Sequence, residues 1–227
     1  EDDGESYALA QFLENTNAER QKLQREMIED ALGLVEREVN FRDHKVIVVS
    51  KEGWHKGVLG IVASRLAETY YRPAVVISLK DGVGTASARS IDGFHLHEAL
   101  ASCAGILENF GGHRLAAGLT ILENNIEKFR RAINEFAGNI LAVRDLIPAL
   151  EVDLELPFSQ LHLDLIAQID ALEPYGEGNP EPVFCSRQLT VKSRPQAVGK
   201  ETLKFWVTDG QATLPVVGFG MAKYKDS

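Results

Sequence analysis

Apolar residues in this chain change period several times, and each change marks an element. Residues 5–40 read as one helical region. Leu9, Phe12 and Leu13 form a short apolar face, and Leu23, Met27, Ala31 and Leu34 then recur at i, i+4, i+8 and i+11. Asn15-Thr16-Asn17 lies between the two faces and predicts an interruption, because such residues favour a helix N-cap. From Lys45 the spacing shortens. Val46–Val49 and Ala74–Ile77 are continuous apolar runs of the kind found in strands buried on both faces. Helical spacing returns between them, from Gly57 to Tyr70, through Val58, Ile61, Val62 and Leu66. Asp81-Gly82 signals a hairpin into a third strand, Gly84–Ile91. Asp92-Gly93 then predicts the cap of a helix over Phe94–Cys103. Gly118–Ile121 reads as a further strand and Ile126–Leu141 as an amphipathic helix. This order makes a sheet covered by helices.

Ile147-Pro148 predicts a boundary. Beyond it come the alternating Val152–Leu156, a helix over Ser159–Leu172, and a turn-rich segment, Glu173–Pro180. Short alternating runs follow at Gln188–Lys192, Leu203–Thr208 and Thr213–Phe219, the spacing of a small barrel. The fold class expected is α+β. It comprises a connector helix (1–40), a mixed sheet with helices (41–146) and a small β-barrel (147–227).

Composition narrows the function classes. With 44% apolar and 25% charged residues the chain is ordinary globular material, and no run approaches 18 apolar residues, so no membrane helix is expected. Two cysteines, Cys103 and Cys185, exclude a disulfide scaffold and a CxxC zinc ribbon and fit a reducing cytoplasm. The acidic start at Glu1-Asp2-Asp3 is unlike a signal peptide. A net charge of −9 speaks against polyanion binding, but the charge is uneven. Residues 44–120 hold 8 basic and 6 acidic residues, five of the six histidines and 10 of the 19 glycines. An anion site is expected in that third of the chain.

Three segments offer the chemistry. In Gly111-Gly112-His113-Arg114-Leu115-Ala116-Ala117-Gly118, paired glycines admit a ligand close to the backbone, His113 is a donor without bulky neighbours, and Arg114 adds charge. The plainer alternative is a glycine turn entering a strand. In Thr85–Ser90, Ser87 and Arg89 share a strand face at period two, a hydroxyl beside a planar fork of donors. The alternative there is a solvated face. Trp54-His55-Lys56-Gly57 precedes a helix N-terminus, a natural anion location, although Gly60 could serve packing alone. His95 and His97 diverge at a helix start and read as surface residues. Phosphate loops, HExxH, GxSxG and Asp-rich two-metal clusters are all missing from the sequence, so phosphate-binding parts occur without a catalytic engine.

Gly111–Gly118 and Trp54–Leu66 resemble the DHH-associated domain of the RecJ-type exonucleases, within the DHH phosphoesterase superfamily. Ala88–Leu100 looks like that family's next block, and Leu172–Phe184, with Gly176-Glu177-Gly178-Asn179-Pro180, looks like the opening of its OB-fold. The resemblance runs in order through nearly the whole chain. It implies 5′-to-3′ hydrolysis of single-stranded DNA in repair and recombination. The metals, Mn²⁺ or Mg²⁺, would be held by an N-terminal DHH domain preceding Glu1, and none by this chain. It implies that His113 contacts phosphate near the scissile bond, that Gly111 and Gly112 give backbone access, and that Ser87 and Arg89 hold the 5′ end or a neighbouring phosphate. Trp54, His55 and Arg114 carry over more weakly, and His95, which stands where relatives have Asp or Asn, carries no role. The OB-fold would track the strand with Lys192, Arg194, Lys200, Lys204, Phe205 and Trp206. The alternatives are a fragment of a DHH phosphodiesterase acting on oligonucleotides or cyclic dinucleotides, and a binding module unconnected with hydrolysis.

Overall fold

The computed structural model describes residues 3–226 and divides into two compact units, Glu1–Pro148 and Ala149–Ser227. In the first, helix α1 (Asp3–Glu38) is unbroken. The interruption expected at Asn15-Thr16-Asn17 does not occur; the Thr16 and Asn17 side chains are satisfied within the helix. Thr16 Oγ1 donates to the Phe12 carbonyl at 2.9 Å, and the Arg20 guanidinium donates to Asn17 Oδ1. Residues 4–23 are exposed, and burial begins at Met27, followed by Ala31, Leu34 and Val35.

A five-stranded sheet follows in the order β1-β2-β3-β5-β4, from β1 (Ile47–Glu52), β2 (Ala74–Lys80), β3 (Val83–Arg89), β4 (Asn109–Gly112) and β5 (Ala116–Leu122). Only β1 and β2 run parallel, joined by α2 (Leu59–Tyr70); every other pair is antiparallel. Strand alternation divides the apolar residues between two layers. Ile47, Val49, Ala74 and Val76 pack with α1 and α2. Val46, Val48, Val75, Ile77, Ala86, Ala88, Leu119 and Ile121 pack with α3 (Leu96–Ser102) and α4 (Ile126–Ile140).

Two local expectations change. The third strand ends at Arg89 rather than Ile91, since Ser90 turns its hydroxyl to the Phe94 carbonyl. The α3 cap is His95, whose Nδ1 accepts from the Glu98 amide, rather than Asp92-Gly93.

The second unit contains α5 (Leu163–Asp170), with His162 Nδ1 accepting from the Leu165 amide as its cap. Strands β6 (Leu154–Glu155) and β7 (Phe184–Cys185) pair in parallel. β8 (Thr190–Val191), β9 (Gln196–Val198), β10 (Thr202–Thr208) and β11 (Thr213–Gly218) form an antiparallel sheet around β10. Asp209 fastens the β10–β11 turn by accepting from the Gln211, Ala212 and Phe158 amides, and backbone bonds from Ala212 and Gln211 hold its carboxyl below the usual carboxylate range. The Gly176–Asn179 loop is also self-tied, with the Asn179 amide donating to the Leu172 and Pro174 carbonyls at 3.0 Å.

Candidate nucleic-acid interface

The face of the first sheet that carries α1 and α2 is covered only in part. α2 packs over β2 and β3, while the β5–β4 side stays open: Gly111 and Gly118 are exposed. Register builds this open face in rows. Thr85 stands opposite Thr120, which stands opposite Asn109; Ser87 opposite Gly118, opposite Gly111; and Arg89 opposite Ala116. His113 extends the last row, its amide donating to the Ala116 carbonyl at 2.8 Å. Partners directly opposite in an antiparallel pair share a face, so Thr85, Ser87, Arg89, Thr120, Gly118 and Asn109 all look outward together. The middle row has a single side chain, the Ser87 hydroxyl, beside two bare glycines.

β4 and β5 meet in a tight turn through Arg114-Leu115. Its backbone is tied to the block around α3: Leu96 donates to the Arg114 carbonyl and Ser90 to the Leu115 carbonyl, both at 2.9 Å. His113 and Arg114 are exposed on this anchored turn. Gly112 adopts φ +140°, and a Cβ there would lie 2.4 Å from the Ala116 oxygen and 2.5 Å from Ala117 Cα. It is therefore required by the turn itself. Gly111 is different, because a Cβ there would meet nothing within 4 Å. Packing inside the protein therefore does not demand glycine at 111.

Arg89 reaches from β3 towards α2. Its Nη1 donates to the Ala88 carbonyl at 2.9 Å, and no carboxylate among the described residues lies within salt-bridge distance of it. A shallow cleft beside it is lined by Ser64 and Glu68 of α2 and by Tyr71 just after it, with Ser90, Asp92 and Leu115.

The remaining candidates lie elsewhere. Trp54 is 6% exposed and belongs to the core. Its indole N–H donates to Asp30 of α1 at 2.8 Å and its carbonyl accepts from Ser78, so its ring is committed to holding α1 against the sheet. His55 caps the short 3₁₀ turn before α2, with Nδ1 accepting from the Gly57 amide. Thr85, Asn109 and Thr120 complete the open face; Asn109 was not singled out in the sequence, because β4 itself has no strand-like apolar alternation. Among the described residues there is no group of three or more His, Cys, Asp and Glu that could hold a metal ion, so the donor set does not fit a divalent cation site.

In the second unit, Lys204 and Trp206 lie on one face of β10, opposite Val217 and Pro215 of β11, with Gln196 on the other side of Lys204. Trp206 is 45% exposed. Phe205 points to the opposite face, with the buried Leu203 and Val207. Basic residues flank Trp206 on this open face: Lys204 two positions away on β10, and Lys192, whose amide donates to the Trp206 carbonyl at 2.8 Å.

The DHHA1 domain family matches residues 43–139, and the RecJ OB domain family matches residues 152–227. The single-stranded-DNA-specific exonuclease RecJ of Bacillus subtilis is 37% identical over the whole of this chain, which spans 29% of that protein. The Thermus thermophilus RecJ is 36% identical over 81% of the chain and 26% of its own length. The crystal structure of RecJ from Thermus thermophilus in complex with Mn²⁺ superimposes with a TM-score of 0.78 and 30% identity, covering 96% of this chain and 31% of that one. The fold and its glycine-lined face thus define a DHHA1 domain followed by an OB domain. The chain belongs to the RecJ family and spans about a third of the length of the relatives it matches.

Proposed function

We propose that this chain is the substrate-binding part of a RecJ-type 5′-to-3′ single-stranded-DNA exonuclease acting in repair and recombination in the cytoplasm. The observation that carries this reading is the open face of β3, β5 and β4, where a glycine-floored row is flanked by Arg89 and His113. Successive outward residues on a strand are about 6.8 Å apart, close to the step between phosphates of an extended single strand. Ser87, the Gly111–Gly112 backbone and Arg89 would hold neighbouring phosphates, and His113 would donate to the phosphate under attack. Arg114, at the turn, would add positive charge nearby. The OB unit would offer Trp206 for base stacking and Lys204 for the backbone. Hydrolysis would require Mn²⁺ or Mg²⁺ in a DHH domain of the same parent protein, because the described residues offer no carboxylate cluster to hold them. The OB match favours this assignment over a phosphodiesterase fragment that would end after the glycine motif.

The test is salt-dependent binding of the 227-residue chain to 5′-phosphorylated oligodeoxythymidylate and to duplex DNA. Preference for the single strand is expected, with a linear fall of log K against log salt. Arg89→Ala should weaken binding to all sequences alike by about 1.5–3 kcal/mol, the range for a charge-assisted pair. Equal or tighter binding to duplex, or a sequence-dependent loss, would overturn the assignment.

A further inference from the structure

We infer that Gly60 is a positioning residue for Arg89, fixing where its guanidinium meets a phosphate; this rests on the phosphate-binding reading above. Gly60 is the second residue of α2 and has none of the positive φ that would call for glycine on conformational grounds. What singles it out is its neighbour. A Cβ at Gly60 would lie 2.9 Å from Arg89 Nη2, 3.6 Å from Cζ and 3.9 Å from Nη1. The Nη2 end of the guanidinium therefore occupies the space that a side chain at position 60 would fill, at the start of α2. Its direction is set at two points, by this contact and by the bond from Nη1 to the Ala88 carbonyl.

The clash is with the far end of a flexible side chain and not with backbone. A methyl group at position 60 can therefore be accommodated by moving the guanidinium, with the helix and sheet left in place. Alanine also favours helix over glycine. Gly60→Ala should fold, yet leave Arg89 in a different place. An arginine fork binds phosphate through directed, paired donors, so its orientation matters as well as its charge.

The experiment compares the chain with Gly60→Ala, Arg89→Ala and the double variant. Thermal unfolding checks that each folds. The Arg89 Nε–Hε resonance, assigned by its loss in Arg89→Ala, reports the position of the guanidinium directly. In Gly60→Ala this resonance should shift, while unfolding stays within a few degrees of the parent chain. Affinity for 5′-phosphorylated oligodeoxythymidylate should fall roughly three- to tenfold, a loss of up to one charge-assisted bond. The slope of log K against log salt should fall by up to about 0.7, the value for one phosphate contact on a single strand. Adding Gly60→Ala to Arg89→Ala should cost nothing further. An unmoved Arg89 resonance, or a loss from Gly60→Ala that persists without Arg89, would overturn the inference. If Arg89→Ala itself leaves binding unchanged, the phosphate reading fails, and the resonance still decides whether Gly60 positions the side chain.

Discussion

Asn134 of α4 pairs with Val46 as a neighbouring strand would: the Val46 amide donates to its Oδ1 at 2.8 Å and its Nδ2 donates to the Val46 carbonyl at 3.1 Å. Asn134 is 8% exposed, so this bond pair sits in the interior. One turn away, Arg130 donates to the Val48 carbonyl from Nε and Nη2. The helix thereby satisfies, through side chains, backbone groups that β1 has no strand to meet.

Asn134→Ala should consequently destabilise the first unit by about 2–3 kcal/mol, since it strands a buried donor and a buried acceptor. Chemical denaturation measures this. Arg130→Ala should cost less, because the Val48 carbonyl loses its partners while no donor is left unpaired. A cost below that of an exposed surface substitution at Asn134 would show that water replaces the amide.

The glycines of the cradle should separate into two kinds. Gly112→Ala opposes both φ +140° and contacts with backbone atoms, which cannot yield cheaply, so it should lower the unfolding temperature markedly. Gly111→Ala meets open space and should leave stability nearly unchanged while weakening oligonucleotide binding. Parallel melting and binding titrations check both. Loss of stability at Gly111 would assign that glycine to the fold instead.

Acid should loosen the attachment of α1. Burial works against the Asp30 carboxylate, but bonds from Lys51 and Trp54 outweigh it and place its pKa below the ordinary 3.8. A carboxyl depressed on folding contributes stability that is complete above its unfolded pKa and lost as pH falls through its folded pKa. The stability difference between the parent chain and Asp30→Asn should therefore be constant at neutral pH and shrink below about pH 4. Denaturation curves across that range test it, and a difference independent of pH would exclude the linkage.

Limited proteolysis should release two resistant pieces by cutting near residues 143–150, where the two compact units meet in sequence. A single cooperative core resistant to cleavage there would contradict separate folding.

Much of the first unit was legible because its buried strands are apolar runs and its helices keep a 3.6 period. Period two alone placed Ser87 and Arg89 on one side of β3, which the register reproduces. β4 was not legible: Asn109-Phe110-Gly111-Gly112 has one apolar side chain and becomes a strand only through its backbone pairing with β5. Trp54 was misleading for a related reason. Its place beside a glycine-rich helix start suggests a ligand site, whereas the partner that buries it, Asp30, is 24 positions earlier. Gly60 carried its reason in a side chain from another element, and only the packing of α2 on β3 reveals it.

The brevity of β4 has a bearing on how the protein meets others. It lies at the margin of the sheet with only four residues, two of them glycines, and the opposite margin is occupied by Asn134 and Arg130. Long, flat, unpaired margins are where foreign chains add themselves as extra strands. This sheet offers such a guest little hold on either side. A partner that joined the β1 margin by backbone pairing would have to displace Asn134 and Arg130 first, which leaves the open face of β3, β5 and β4 as the broader surface for contact.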